Sequence, residues 1–331
     1  MFNSLIRLFT TSAPDFEVLW LGAKDLIAGS NPYINPQIFT GIGYPPNTLF
    51  FYVPLTFLNY QTAQNVFTAL SLVSLVLIIY LSMRLRFPKI DKLTFVLFLV
   101  LSLLFFPTKF TLGMGQNNLI AFLILLLSYF FYRKGRQTLS GVLLGVAISF
   151  KTVFGIFILF YILKKQFKII LYALLTIAVF TMVTSSVSPL GAGLYKFYFT
   201  NIIPPLLNFE GRGIFYNQGI SGFIARVISD VGLIKLVWFA TSLVFLITTA
   251  FLTLKKKKEN LQFSLFLLTL LLIDSLSWQH HFVWTLFSFA ILFPAAFLAV
   301  PFLLIGIDFH NSLNFLGVIL LYFYNARKIA E

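Results

Sequence analysis

The sequence contains no cysteine and few charged residues. Charged side chains make up 10% of its 331 residues, and only 10 residues are Asp or Glu. The missing cysteines exclude disulfides and thiolate metal sites. There is also no Walker loop, no GxGxxG turn and no Asp-x-Asp pair. These absences argue against a site for a nucleotide or a nucleotide sugar.

The chain is instead rich in apolar residues. Hydrophobic residues account for 59% of it, Phe alone occurs 42 times, and the mean hydropathy is +0.92. A soluble domain of this length could not bury so much apolar surface, so the composition predicts an all-α integral membrane protein. We predict about ten transmembrane or partly spanning helices, at 63–84, 93–107, 118–132, 138–150, 152–163, 168–188, 232–254, 261–277, 282–305 and 312–325.

Several of these runs are too short to cross an average bilayer alone. We therefore expect broken or re-entrant helices that line a cavity, most clearly in the pair 138–150 and 152–163, which is hinged at Lys151. No repeat or linker interrupts the pattern, so residues 1–331 are predicted to form a single membrane-embedded domain.

The net charge of +14 could indicate a nucleic-acid partner, but the placement of the charges argues otherwise. More than half of the 24 Lys and Arg residues lie in four short loops, at 84–92, 133–136, 164–168 and 255–258. Such clustering is typical of cytoplasmic loops in membrane proteins. The segments 12–62 and 189–231 then lie outside. We expect a multi-pass protein of the plasma membrane and no nucleic-acid partner.

The polar residues suited to chemistry lie on the outer side, at span ends or in loops. Asp15 is either a general base at the membrane surface or an acid that stabilises a helix N-terminus. Tyr44, in Tyr44-Pro45-Pro46, is either a substrate contact or part of a rigid turn. Gln116 and Asn117 follow a glycine-rich turn and could bind sugar hydroxyls or cap a helix.

Other polar residues are candidates for binding a phosphate or a sugar. Lys151 interrupts an apolar stretch, and its ammonium either neutralises a lipid phosphate or extends to the interface. Arg212 could contact a phosphate. The nearby Asn217 and Gln218 could contact a sugar, or could belong to an ordinary polar loop.

Trp278, His280 and His281 close a span at the outer face, four residues after Asp274. One histidine could hydrogen-bond a phosphate or orient a carboxylate. Alternatively, Trp278 and the histidines anchor a helix end at the interface. Adjacent histidines do not share a helix face, so we expect no metal site and no cofactor.

In order along the chain, these pieces resemble glycosyltransferase family 87, the polyprenol-phosphate-mannose-dependent mannosyltransferases with the GT-C fold. The resemblance covers most of the chain, from Asp15 to about Leu292. It is carried by Asp15-Phe16 with Trp20 and Ala23, Ala28 to Tyr33, Tyr44-Pro45-Pro46, Pro54-Leu55, Gly115 to Asn118, Gly141 through Gly145 to Lys151, Asn217-Gln218, and Ser277-Trp278 with His280-His281.

The resemblance implies a GT-C-like bundle that moves a hexose, most often mannose, from a polyprenyl-phosphate donor to an acceptor hydroxyl with inversion. Asp15 maps onto the catalytic base, and His280 or His281 maps onto a position near the donor phosphate or the base. The implied partners are the lipid-linked donor, a glycolipid, glycan or protein acceptor, and membrane lipids. The family also has a full helix before the acid, so a truncated or missing first helix is expected here.

Two other functions fit the composition. A flippase or transporter of lipid-linked sugars needs polar groups deep in the spans, and Asp274 is the best candidate. An inactive membrane assembly partner is favoured by the short N-terminal segment. Transport without covalent transfer would indicate the first, and co-purification with a partner that supplies a helix would indicate the second.

Overall fold

The computed structural model describes residues 8–38, 41–255, 258–294 and 312–331 of the chain. Within these residues every regular element is helical and no β-strand occurs, which confirms the predicted all-α class. The only extended pairing in them is an isolated antiparallel bridge between Asn217 and Trp278. The protein is therefore a helical membrane protein.

The α-helices follow the predicted apolar runs, with shorter helices between them. In chain order they are α1 (Pro14–Ala28), α2 (Pro46–Phe50), α3 (Tyr60–Arg86), α4 (Lys92–Leu104), α5 (Phe106–Met114), α6 (Asn118–Arg133), α7 (Gln137–Phe150), α8 (Ile156–Leu163), α9 (Phe167–Val187), α10 (Gly193–Phe197), α11 (Ile203–Leu206), α12 (Ile220–Val227), α13 (Val231–Lys255), α14 (Glu259–Ile273), α15 (Thr285–Leu292) and α16 (Leu313–Ala330). Single 3₁₀ turns cover Pro32–Ile34, Val53–Phe57, Thr152–Gly155 and Gln279–Trp284, and a π turn covers Tyr198–Ile202.

Fewer helices can cross a bilayer alone than the ten predicted spans suggest. Of the described helices, α3, α9 and α13 are long and apolar enough, and the bent pair α4–α5 could form a fourth span. The predicted short spans are also short in the structure, at α6, α7, α14 and the 152–163 run. A helix of such length is accommodated by packing against neighbouring helices or by local thinning of the bilayer.

Three predicted spans end or break early. The run 93–107 stops at Leu104, and Phe105 adopts an extended conformation before a 62° bend into α5. Pro107 explains this break, because it cannot donate a helical hydrogen bond. The run 261–277 stops at Ile273, before the extended Asp274. The run 282–305 starts as a 3₁₀ turn, and α15 ends at Leu292, while 295–305 lies outside the described residues.

The chain divides into two compact units, and each is built from three separate stretches. Unit 1 contains Met1–Ser74, Leu112–Thr152 and Lys168–Asn208. Unit 2 contains Leu75–Thr111, Val153–Phe167 and Phe209–Glu331. The single-domain organisation of 1–331 stays a prediction.

Unit 1 is held together by close approach of helices. α6 and α7 pair as a hairpin, where the Ser128 hydroxyl donates to the carbonyl of Ser140 at 2.8 Å. On α7, Gly141 and Gly145 lie against the backbone of α9, since an added Cβ would come within 2.5 Å of Ile169 O and 2.6 Å of Ala173 O. These two glycines of the family pattern therefore serve helix packing.

Unit 2 has α14 at its centre. This helix packs against α13, α15 and α16, and its residues from Gln262 to Leu272 are all buried. Its polar side chains find internal partners. The hydroxyl of Thr249 lies 2.7 Å from that of Thr269, and Asn325 donates to Ser264 at 3.0 Å. Such pairing removes the cost of burying these groups in an apolar interior.

Candidate functional site

The residues predicted for the site gather into two clusters, one in each unit. We call Asp15, Tyr44, Gln116, Asn117 and Lys151 the Asp15 cluster, and all five lie in unit 1. The His-pair cluster of unit 2 contains Arg212, Asn217, Gln218, Asp274, Trp278, His280 and His281.

Asp15 lies in the first turn of α1, as the sequence predicts. Pro14 starts the helix, and Gly29 ends it with a φ of +80°. The chain just before Asp15 is tied to α3, because the Ala13 amide donates to Gln64 Oε1 at 3.1 Å and Gln64 Nε2 donates to the carbonyl of Thr11 at 2.7 Å. Sequence reasoning missed Gln64, an amide whose side chain is fully buried at the start of α3.

Gly115 brings the second part of the cluster against the start of α1. Its φ is +67°, a conformation that favours glycine. An added Cβ would lie 2.6 Å from Phe16 Cβ and 2.9 Å from Ala13 Cβ. Only a glycine therefore allows this turn to approach α1, and the next residue is Gln116.

A chain of hydrogen bonds connects the cluster. Gln116 Nε2 donates to Asp15 Oδ2 at 2.5 Å, and the Tyr44 hydroxyl donates to Gln116 Oε1 at 3.1 Å. Lys151 Nζ donates to the Tyr44 hydroxyl at 3.3 Å and to Asn117 Oδ1 at 3.2 Å. Neutral side chains thus connect the buried cation to the carboxylate.

Burial sets the acid–base properties of this cluster. Partial burial raises the pKa of the Asp15 carboxyl above its ordinary value, while the Gln116 hydrogen bond and the charge of Lys151 oppose that rise. A base with a raised pKa accepts a proton more readily at neutral pH. Burial also raises the pKa of Tyr52, which lies close enough to sense Tyr44 and Asp15. Tyr52 was not singled out from the sequence.

Lys151 lies at the C-terminus of α7, where its backbone is extended. Only 3% of its surface is exposed, so its ammonium does not reach into water as the interface alternative requires. The adjacent backbone is tied to α2, since the Thr48 hydroxyl donates to the carbonyl of Phe150 at 3.2 Å. These contacts fix the position from which Lys151 reaches Tyr44.

Backbone pairing assembles the His-pair cluster. The Gln218 amide donates to the carbonyl of Ser277 at 2.7 Å, and the Gln279 amide donates to that of Tyr216 at 2.9 Å, on either side of the bridge between Asn217 and Trp278. Two motifs that are about sixty residues apart in sequence are therefore adjacent in space.

The two histidines have different surroundings. His281 Nδ1 lies 3.7 Å from Asp274 Oδ2, and its ring stacks on Trp284. His280 stacks on Trp278 at an interplanar angle of 6° and contacts Phe110. Both are buried. The geometry pairs His281 with a carboxylate and His280 with aromatic rings.

Arg212 lies within the electrostatic reach of Asp274, the carboxylate that also faces His281. The Arg212 side chain is buried, burial lowers its pKa, and nearby Asp274 opposes that effect. The guanidinium also lies 5.1 Å from the Phe209 ring, a cation–π distance. Arginine keeps its charge in proteins, so the cluster holds a buried cation.

The amides of this cluster are used to hold its own loop. Asn217 Nδ2 donates to Arg212 O, Ser221 Oγ and Ser275 O at 3.1–3.2 Å. Gln218 Nε2 donates to the carbonyl of Phe215 at 2.7 Å. Both residues are buried. These contacts explain Asn217 and Gln218 structurally, and their predicted contact with a sugar stays a prediction.

Metal ligands are not grouped in the part of the chain that is described. Its His, Asp and Glu residues form no set of three that could hold an ion. The metal-free chemistry expected from the sequence stays a prediction.

The fold defines a helical integral membrane protein, and comparison with known families specifies its class. The chain belongs to glycosyltransferase family 87, whose model matches residues 42–277. It is therefore a membrane glycosyltransferase. The matched range contains Tyr44, Gln116 and Lys151, whereas Asp15 and both histidines lie outside it.

A curated relative is similar over most of the chain. It is the polyprenol-phosphate-mannose-dependent alpha-(1-2)-phosphatidylinositol mannoside mannosyltransferase of Mycobacterium tuberculosis. The two are 25% identical over 306 residues, which cover 85% of this chain and 70% of the relative. No solved structure matches the chain.

Proposed function

We propose that this glycosyltransferase moves a mannosyl group from polyprenyl-phosphate-mannose to the hydroxyl of a glycolipid or glycan acceptor, with Asp15 as the general base. The donor and the type of acceptor are suggested by the name of the mycobacterial relative. The observation that carries the proposal is the Asp15 carboxylate itself. It is partly buried, it has a raised pKa, and it accepts its hydrogen bond from an amide that follows a glycine turn.

The reaction needs one displacement. Asp15 takes the proton from the acceptor hydroxyl, and the hydroxyl oxygen attacks the anomeric carbon of the donor. The bond from that carbon to the phosphate oxygen breaks, and its electron pair leaves with polyprenyl phosphate. Attack opposite the leaving group inverts the anomeric centre. A phosphate leaving group needs charge stabilisation more than protonation.

Different residues support different parts of this proposal. We assign the charge of the leaving phosphate to Arg212 and His281, which lie with Asp274 in the His-pair cluster. We assign Lys151 to the Asp15 cluster, because its ammonium donates to Tyr44 and Asn117. Tyr44, Gln116, Asn117 and Trp278 stay candidates for contacts with the bound sugar.

We place the reaction at the extracytoplasmic face of the plasma membrane. The support is the charge asymmetry of the loops, since most Lys and Arg residues cluster in four other loops, a pattern typical of the cytoplasmic side. Polyprenyl-phosphate sugars suit this face because the donor that reacts there carries no nucleotide.

The first prediction is that Asp15→Asn abolishes transfer while membrane insertion is retained. A general base contributes about 10²–10⁴-fold in rate, so we expect a loss in that range. The measurement is the movement of label from polyprenyl-phosphate-mannose to a native lipid extract in membranes that contain the protein. Polyprenyl-phosphate-glucose serves as a second donor to test the sugar.

Glu17→Gln is the matched control, because Glu17 is an exposed acid in the same turn of α1 and accepts a hydrogen bond only from Ser12 among the described residues. It should keep wild-type transfer. Turnover by Asp15→Asn at the wild-type rate would contradict the proposed base. Label that crosses the membrane as intact donor, without a new product, would favour transport instead.

A further inference from the structure

The side chains between Lys151 and Asp15 form an ordered series of donors and acceptors. Lys151 contacts the Tyr44 hydroxyl, Tyr44 contacts Gln116 Oε1, and Gln116 Nε2 contacts Asp15 Oδ2. The partners are 107, 72 and 101 residues apart in sequence. None of these contacts is local in sequence, so the tertiary fold brings the four polar side chains together in one series of hydrogen bonds.

The chemistry of the first residue sets the direction of the series. A lysine ammonium can only donate, so the oxygen of Tyr44 accepts from it. The hydroxyl hydrogen of Tyr44 is then directed to Gln116 Oε1. An amide whose oxygen is held in this way must present its NH₂ group to Asp15. The reversed amide would place its carbonyl oxygen against the carboxylate, which is repulsive.

The backbone of Tyr44 is held from two sides. The Tyr33 hydroxyl donates to the carbonyl of Tyr44 at 2.9 Å, and the Tyr198 hydroxyl donates to that of Gly43 at 3.2 Å. Pro45 and Pro46 follow, and Pro46 starts α2. A phenol at a fixed backbone position is suited to orienting a neighbour, because little conformational entropy remains to be lost.

We propose that Tyr44 is a positioning residue that, through Gln116, holds the Asp15 carboxylate in the orientation and the ionised state that proton abstraction needs, with Lys151 setting the direction of the hydrogen bonds. This inference rests on the proposed role of Asp15 as the base. It gives Tyr44 a role that differs from contact with the donor, because Tyr44 acts here through another side chain.

The prediction for Tyr44→Phe is a lower rate and a displaced pH profile. The ring and its packing remain, but Gln116 loses the hydroxyl that orients it. Its hydrogen bond to Asp15, which lowers the pKa of that carboxyl, is weakened. The pKa of Asp15 should rise, so the acid limb of the kcat profile should move to higher pH. We expect kcat to fall by up to about tenfold, the order for one hydrogen bond between neutral groups, with little change in the donor KM.

A second variant gives an independent measurement. Gln116→Leu removes the same hydrogen bond from its other end, so it should displace the acid limb in the same direction. The double variant should lose no more than the larger single loss, because both act through one contact. Tyr80→Phe is the control. Tyr80 lies exposed on α3, and this substitution should leave rate and profile unchanged.

Ionisation of Asp15 can also be measured without turnover. The infrared carboxyl band that titrates in the wild type and is absent in Asp15→Asn reports its pKa directly. This band should titrate at higher pH in Tyr44→Phe than in the wild type. The measurement applies to purified full-length protein in detergent, so a missing acceptor does not affect it.

The outcomes separate this inference from the proposed function. If Asp15→Asn abolishes transfer but Tyr44→Phe keeps the wild-type acid limb and infrared titration, Asp15 is the base and the positioning role is wrong. A rise in donor KM alone would assign Tyr44 to donor binding and would also overturn it. If Asp15→Asn stays active, the base and the positioning role fail together.

Discussion

The Asp15 cluster and the His-pair cluster hold charge in different ways. In the first, a cation and a carboxylate are connected through a phenol and an amide, and each of these two groups accepts one hydrogen bond and donates the next. In the second, Asp274 lies directly beside His281 and within the electrostatic reach of Arg212, and the histidine rings stack on tryptophans.

The difference indicates different tasks. Directed hydrogen bonds fix the orientation and the protonation of a single partly exposed carboxylate, which is what a base requires. The second cluster combines a buried arginine with a histidine ring that can donate hydrogen bonds, both beside one carboxylate. Such a group is suited to an anion, and preorganised cations of this kind stabilise a developing negative charge. Substitutions within one cluster therefore test the comparison, because each cluster should respond in a different kinetic property.

The largest expected effect is on the assembly of the Asp15 cluster. Gly115→Ala places a methyl group at positive φ and within 2.6 Å of Phe16 Cβ. Left-handed backbone and overpacking together should lower the free energy of unfolding by about 2–4 kcal/mol. The melting temperature in detergent should fall, and transfer should fall with it.

Gly113→Ala is the matched control for that prediction. Gly113 lies two residues before Gly115, within α5, and its φ is not positive. A Cβ added to Gly113 would meet no atom within 4 Å. Alanine also favours helix over glycine. Equal melting temperatures for the two variants would show that the turn at Gly115 does not need a glycine.

The next effect concerns the cation of the Asp15 cluster. Lys151→Met keeps the length of the side chain but leaves Tyr44 and Asn117 without their charged donor. A hydrogen bond to a charged group contributes about 1.5–3 kcal/mol, so transfer should fall roughly 10–100-fold. The charge of Lys151 also lowers the pKa of Asp15. Its loss should move the acid limb of the kcat profile to higher pH.

Lys24→Met controls for the loss of one positive charge, because Lys24 is exposed on α1, where it lies over the Trp20 ring. It should leave the pH profile unchanged. A Lys151→Met variant with a higher donor KM, unchanged kcat and an unmoved acid limb would return Lys151 to the role of phosphate ligand.

The two clusters also show how much of the structure could be predicted from the sequence. Its apolar runs predict the long described helices α3, α9 and α13. A break such as that at Phe105 has a local cause in Pro107. The candidate residues Asp15, Gln116 and Lys151 are recognisable because each is polar beside an apolar run. The contacts that these residues make are not recognisable in the sequence, because they join residues about a hundred positions apart.

The roles of the amides were harder to predict for the same reason. Gln116 and Asn217 are equally polar in the sequence, yet Gln116 donates to a carboxylate and Asn217 supports its own loop. Gln64 was missed because other polar residues surround it at the start of its span, and Tyr52 was missed because it lies within an aromatic and apolar run. Only the tertiary structure distinguishes these cases.

The smallest expected effect separates the two histidines. Asp274→Asn removes the charge beside His281 with little change of shape, and His281→Gln removes the ring that Asp274 faces. Each removes one partner of this imidazole–carboxylate pair and should lower transfer about tenfold, which corresponds to about 1.4 kcal/mol, and should raise the donor KM. The pair acts as one unit at 3.7 Å, so the double variant should lose about as much as either single variant.

His280→Gln is the control within the same turn. It should cost less, because His280 faces Trp278 and Phe110. Additive losses, or an equal loss from His280→Gln, would show that the carboxylate does not distinguish the two histidines. None of these variants should move the acid limb of the kcat profile, because that limb belongs to Asp15. A moved limb would mean that the two clusters do not have separate tasks.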